Sequence, residues 1–230
     1  MWIRVLAADE LIRICSNCPS ARQREFKTKS VIYLSQPRET VWIVREGFVK
    51  LTLTRDTGDR WMQAIVGRGG LFGAPLFHQD RSPSSATGEL AQQATAHGRI
   101  KLIELDRSFV EQGIRIESHR SAAIIESFTS QIRILERRLL WQNTSPLRAR
   151  IATILCDLVT KECHQPSQDC AVSVPLTHQE LADLSRATRP VVSKILAEWK
   201  QQQIISYTRQ DIRVSDYRRL FEIAGEITPR

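Results

Sequence analysis

The chain has 230 residues, 42% of them hydrophobic and 7% aromatic, enough for a packed core in one or two domains. Its net charge is +8 and its pI about 9.6, a basic balance that favours a polyanionic partner without naming one. Asp9 and Glu10 interrupt the start before any long apolar run, and no run of 18 apolar residues occurs; the expectation is a cytoplasmic protein with no secretory leader, no membrane span and reduced thiols.

Val5–Ile14 reads as a short helix with Leu6, Leu11 and Ile14 inward. Cys15 and Cys18 follow as Cys-x-x-Cys, which is either half a metal site, a redox pair, or two ordinary thiols at a helix end. Gln23–Lys29 is polar and reads as a connector. Short strands then follow at Val31–Leu34 and Val41–Val44, with Glu46-Gly47 as a turn. Val49, Leu51 and Leu53 alternate with Lys50, Thr52 and Thr54, the period of a half-buried strand. Asp56–Asp59 is a hairpin turn, and Trp61–Val66 continues the sheet. Gly67, Gly69, Gly70 and Gly73 mark bends, and Ala94–Ala96 and Ile100–Leu105 add strands. Many short strands with glycine turns predict a barrel or sandwich. Phe109–Gly113 is a short helix.

A long helix is predicted from about Ser118 to Asn143. Ile125, Phe128, Ile132, Leu135 and Leu139 are spaced 3, 4, 3 and 4 along it. That is a coiled-coil seam, or the face of a helix packed on its own domain. Pro146 ends it and biases Ser145 towards an extended hinge. Leu147–Val159 is another helix, with Ile151, Leu155 and Leu158 inward, and residues 161–172 are a loop. Cys156, Cys163 and Cys170 are spaced 7 and 7, which matches no metal-ligand pattern.

The most informative stretch is Pro175–Val214. Thr177 and Glu180 have the spacing of a capping box, and Leu181, Ala182 and Leu184 supply an apolar side. Thr188 caps a second helix with Pro190 in its first turn. Val192, Ile195, Leu196 and Trp199 face a core, leaving Arg189, Pro190, Ser193, Lys194 and Lys200 outward. Ile204–Thr208 and Asp211–Val214 form a hairpin, the wing, and Asp216–Glu226 a last helix with Tyr217, Leu220, Phe221 and Ala224 inward. Two short helices, a tight turn, a basic second helix and a wing read as a winged helix-turn-helix, the alternative being a plain packing hairpin.

Leu176–Ala182, Thr188–Leu196 and Ile204–Ser206 resemble the winged helix-turn-helix of the cyclic-AMP receptor protein and fumarate–nitrate reductase regulator (CRP/FNR) superfamily. Trp42–Leu51 and Gly70–Gly73 resemble the double-stranded β-helix, or jelly roll, of its sensory domain. The resemblance implies an α+β chain: a cyclic-nucleotide-binding-like β-domain over 1–115, a dimerisation helix over 116–143 and a DNA-binding domain over 144–230. It makes the seam Ile125, Phe128, Ile132, Leu135 and Leu139 a homodimer interface. It puts Arg189, Pro190 and Lys194 at base edges, and Thr177, His178, Gln179, Thr188 and Val191 at the DNA backbone. Arg209 and Arg213 of the wing are either contacts to flanking phosphates or ordinary solvent-facing charge. Two positions depart from the family pattern. The turn glycine is Arg186, and a frequent base-reading glutamate is Pro190, which accepts no hydrogen bond from a cytosine amine.

A small effector is expected near Phe72, Gly73, Ala74, Pro75 and Leu76. Cyclic-nucleotide binders follow the glycine with a glutamate, here Ala74, and hold the phosphate with an Arg-Ser pair that is missing in register, which argues against cyclic AMP. The turn looks more like that of the cyanobacterial global nitrogen regulators, which sense 2-oxoglutarate. Glu136 keeps their helix glutamate, but their helix arginine is Gln131 here, with Arg133 nearby on another face, so 2-oxoglutarate stays open. The expected partners are double-stranded DNA, a second copy of the chain and, for an activator, RNA polymerase. The alternative is a redox- or metal-responsive regulator using the cysteines. A cupin-like metal-dependent enzyme is remote: His78, His97 and His119 are scattered, none forms the H-x-H pair of a small barrel metal site, and no G-x-S-x-G, H-E-x-x-H or P-loop occurs.

Overall fold

The computed structural model describes residues 2–34, 39–55, 58–74, 90–116, 118–162, 172–174, 176–208 and 212–225. They fall into two compact units, Met1–Arg133 and Ile134–Arg230. The first contains α1 (Trp2–Ser16), β1 (Arg22–Phe26), β2 (Val31–Tyr33), β3 (Thr40–Arg55), β4 (Arg60–Val66), β5 (Leu71–Gly73), β6 (Leu90–Asp106) and α2 (Arg107–Ile116), and α3 (Ser118–Thr144) runs across the division.

Two long antiparallel strands organise the β-domain. β3 pairs with β6 from Thr40 opposite Asp106 to Arg55 opposite Leu90. Each long strand takes two short partners, one on each half. β5 lies along Val41–Ile43 and β4 along Val49–Thr54; β1 lies along Ile100–Glu104 and β2 along Ala94–Thr95. The register shifts twice between Val44 and Phe48, and such bulges bend a sheet. The turn expected at Glu46-Gly47 is therefore corrected: Glu46 and Phe48 stay paired with Lys101 and His97, and the strand does not reverse. Ala94–Ala96 and Ile100–Leu105 likewise belong to one strand.

Alternation along β3 sorts the core. Val41 and Ile43 join Leu71, Ile103 and Leu105 against Leu11 of α1, Val110 of α2 and Ile124 of α3. Trp42 and Val44 point the other way and join Tyr33, Val49, Leu51, Val66, Phe72, Ile100 and Leu102. Both faces of this half-strand are buried, which is why Val41–Val44 reads as an unbroken apolar run. The connector expected at Gln23–Lys29 is in part β1, an exposed strand whose Arg24 pairs with Glu104 at 2.8 Å.

On α3, Ala123 and Ile124 are buried and Ser127 Oγ donates to Gly69 O at 2.9 Å. Phe128, expected in the seam, is partly buried against the same β-domain cluster. Ile125, Ile132, Leu135 and Leu139 are each more than half exposed.

The second unit holds α4 (Leu147–Glu162), β7 (Val172–Val174), α5 (His178–Ser185), α6 (Arg189–Gln201), β8 (Ile205–Tyr207), β9 (Ile212–Val214) and α7 (Tyr217–Gly225). Ile151, Leu155 and Leu158 of α4 are buried as the pattern predicts, and α4 packs on α5, α7 and β7. The wing is a three-stranded sheet in the order β7-β9-β8, its first strand drawn from the end of the expected loop. Leu220 of α7 is buried, but Phe221 is 55% exposed. It stacks on Tyr217 one turn back, with centroids 6.0 Å apart, rather than entering the core. No helix among the described residues is long and apolar enough to cross a membrane.

Candidate nucleic-acid interface

The interface begins at the start of α5, where the capping box forms. Glu180 N–H donates to Thr177 Oγ1 at 3.2 Å, and Glu180 Oε2 accepts from Thr177 N–H at 2.8 Å and from its hydroxyl at 2.9 Å. The Thr177 hydroxyl proton is thus engaged within the helix start. α5 ends on Arg186 at φ 50°, ψ 56°, its N–H reaching Ala182 O and Asp183 O, and Ala187 N–H donates to Ala182 O at 2.9 Å. This is the left-handed helix end that usually takes glycine, made here by an arginine. Thr188 then takes the extended cap backbone, φ −88° and ψ 147°, while its side chain makes no capping bond.

α6 buries Val192, Ile195, Leu196 and Trp199 against the domain. Arg189, Pro190, Val191, Lys194 and Lys200 are exposed. At about 100° per residue, Pro190 and Lys194 sit roughly opposite the buried face, with Arg189 and Val191 on its two flanks. The three expected base-edge residues are all exposed on the first two turns of α6, with Arg189 roughly 140° around the axis from Lys194. Val191 has no side-chain donor, so any contact it makes with a phosphate must use its backbone. Gln179 is exposed and donates to Asp183 Oδ1 at 2.8 Å. Arg213 is exposed on β9 between buried Ile212 and Val214. Arg209 lies outside the described residues.

His178 is more constrained than a solvated phosphate contact. Its Nδ1 lies 2.9 Å from Ser193 Oγ of α6, and its ring meets Tyr207 of β8 edge-on at 4.8 Å. Lys200 Nζ lies 4.9 Å from the centre of the same Tyr207 ring. Burial first, and the Arg189 charge second, hold the His178 pKa below its ordinary value. Sequence reasoning missed Tyr207 and the link to Ser193. Only the strand period, which puts Tyr207 on the same face as Ile205, pointed to the tyrosine.

The expected effector region is tightly built where it is described. Phe72 stacks on Trp42 at 5.6 Å, and Trp42 on Tyr33 at 5.5 Å. Gly73 has φ 112°, and a Cβ there would stand 2.5 Å from Thr40 O. Ala74 is buried and its N–H donates to Thr40 O at 2.8 Å, so this amide is engaged in the fold. Pro75, Leu76 and His78 lie outside the described residues, and Arg133 and Glu136 are exposed on α3. Cys15 and Cys18 are buried; Cys156 is buried too, and burial, with Asp157 adding, pushes its pKa up to about 12. A thiol so placed carries almost no thiolate near neutral pH. Cys163 and Cys170 lie outside the described residues. Among the described residues no group of three or more His, Cys, Asp or Glu is placed to hold a metal.

Residues 149–223 match a family described as the Crp-like helix-turn-helix domain. The global nitrogen regulator of Synechocystis is 22% identical over 192 residues, covering 82% of this chain and 81% of that protein. The HTH-type transcriptional regulator Cmr of Mycobacterium tuberculosis is 26% identical over 198 residues, covering 84% of this chain and 72% of that one. The solved structure of FixK2 from Bradyrhizobium japonicum superposes with a TM-score of 0.65 at 20% identity, over 88% of this chain and 96% of its own.

Proposed function

We propose how this chain, a transcription regulator of the CRP/FNR type with a Crp-like helix-turn-helix domain, reads DNA. Two copies associate through the α3 seam and bind an imperfect palindrome, with α6 of each in a major groove. The observation that carries this reading is the exposure of Arg189, Pro190 and Lys194 on the first turns of α6, whose other side is fixed by buried Val192, Ile195, Leu196 and Trp199. Arg189 donates to the O6 and N7 of a guanine and Lys194 adds a second donor, the commonest direct contact in that groove. Pro190 offers only an apolar edge, suited to a thymine methyl. Thr188, whose hydroxyl makes no capping bond, Gln179 and Arg213 hold the flanking phosphates. In support of association, Ile125, Ile132, Leu135 and Leu139 expose between 52% and 57% of their surface at coiled-coil spacing.

Cyclic AMP is not the effector in this reading. The residue after Gly73 is a buried alanine, without the carboxylate that a ribose hydroxyl needs. Selection of bound sequences from a random DNA pool by the purified protein tests the proposal. A two-fold motif with half-sites about 34–36 Å apart, unaffected by added cyclic AMP, is the expected result. A motif without two-fold symmetry contradicts it.

A further inference from the structure

We propose that His178 is a positioning residue that ties the wing to the recognition helix, and not itself a phosphate contact. This inference rests on the DNA-reading role of α6 given above. His178 is the first residue of α5, yet its side chain engages two other elements. Nδ1 lies 2.9 Å from Ser193 Oγ in the second turn of α6, and the ring abuts Tyr207 at the end of β8. Lys200, two turns further along α6, covers the Tyr207 ring at 4.9 Å. Tyr207 is thus held between the start of α5 and the last turn of α6.

The wing needs such an anchor. β8 and β9 pair over only three residues each, Ile205–Tyr207 with Ile212–Val214, and short two-stranded ribbons are marginal alone. β7 supports β9 on its other edge but is not paired with β8. The inward residues Ile205, Ile212 and Val214 are buried, while Ser206 and Arg213, paired across the strands, face solvent. Tyr207 is the last inward residue of β8, opposite Ile212. Fixing its ring fixes the ribbon that carries Arg213. The imidazole suits this role in its neutral form: burial and the Arg189 guanidinium both disfavour a charge on it, and one ring nitrogen bonds the hydroxyl while the edge packs on an aromatic ring. In this arrangement His178 acts on DNA through Tyr207 and the wing. It sets how far the Arg213 phosphate contact stands from the Arg189 base contact.

The test uses the full-length protein and its selected palindrome, with single phosphates replaced in turn by neutral methylphosphonates. Arg213→Ala identifies the wing phosphate, the one whose neutralisation no longer weakens binding. His178→Ala, Ser193→Ala and Tyr207→Leu should each reduce sensitivity at that same phosphate. His178→Ala and Tyr207→Leu should each weaken binding by about tenfold, and the double variant by about tenfold rather than a hundredfold, because coupled residues do not add. Ser193→Ala deletes one hydroxyl and guards against a folding defect in the larger truncations. The proposal is overturned if His178→Ala abolishes sensitivity at a phosphate that Arg213→Ala leaves intact, or if the two single effects multiply. Failure of the wild-type protein to select any palindrome would instead sink the DNA-reading account beneath it.

Discussion

At the scale of residues, Arg186 is the position where sequence and backbone conflict. Its φ of 50° is left-handed, a conformation that costs a side-chain-bearing residue roughly 1–2 kcal/mol and glycine almost nothing. Arg186→Gly should therefore raise the thermal stability of the DNA-binding unit by about 1 kcal/mol, read from its unfolding transition, without changing DNA sequence preference. This turn was legible beforehand, because the helix pattern left only Ser185–Ala187 for it. The setting of His178 was not: its partners lie 15 and 29 residues away, and no local pattern announces them. Its lowered pKa gives a signed prediction. The folded state disfavours the proton, so the unfolded chain binds more of it and stability rises with pH across the interval. His178 contributes stability that is present above its ordinary value of about 6.5 and is lost as pH falls through the lower folded value. Denaturant midpoints at about pH 7 and 5 should thus drop more for the wild type than for His178→Asn; equal drops would contradict the assignment.

At the scale of elements, helices with strong apolar spacing were readable and strands were so only where one face met a core. β1 was missed because Arg22-Gln23-Arg24-Glu25 has no apolar alternation; the edge of β6 and the ion pair to Glu104 hold it in the sheet. β7 hid at the end of a long loop for the same reason that short strands hide: three residues carry too little pattern. The continuity of β3 through Glu46-Gly47 was masked by a glycine that serves a bulge, not a turn. Gly47 stands at φ 82°, and a Cβ would lie 2.8 Å from Ile100 Cγ2 and 2.9 Å from Arg99 O. Gly47→Ala should destabilise the β-domain by roughly 1–3 kcal/mol through strain and overpacking. A thermal transition that does not move would show that the bulge tolerates a side chain.

At the scale of the whole molecule, α3 links the account together. Its inner face packs Ala123, Ile124 and Phe128 on the β-domain, and its outer residues Ile125, Ile132, Leu135 and Leu139 are each more than half exposed. The heptad spacing marked the helix and its seam but could not show that Phe128 divides its allegiance, since inner and outer faces share one apolar stripe. Replacing Ile132 and Leu135 by glutamate should give monomers by light scattering and abolish tight binding to the palindrome, which needs both half-sites. A variant that stays dimeric would place the association elsewhere. Whether α6 reads sequence through Arg189 is decided by binding titrations of the wild type and Arg189→Ala. Each is measured against the preferred palindrome and against one with the contacted guanine replaced in both half-sites. The wild type should discriminate by roughly 1–3 kcal/mol per half-site, and Arg189→Ala should lose that discrimination along with affinity. An Arg189→Ala variant that loses the same free energy on both DNAs would mean that Arg189 touches only the backbone, and would contradict the account.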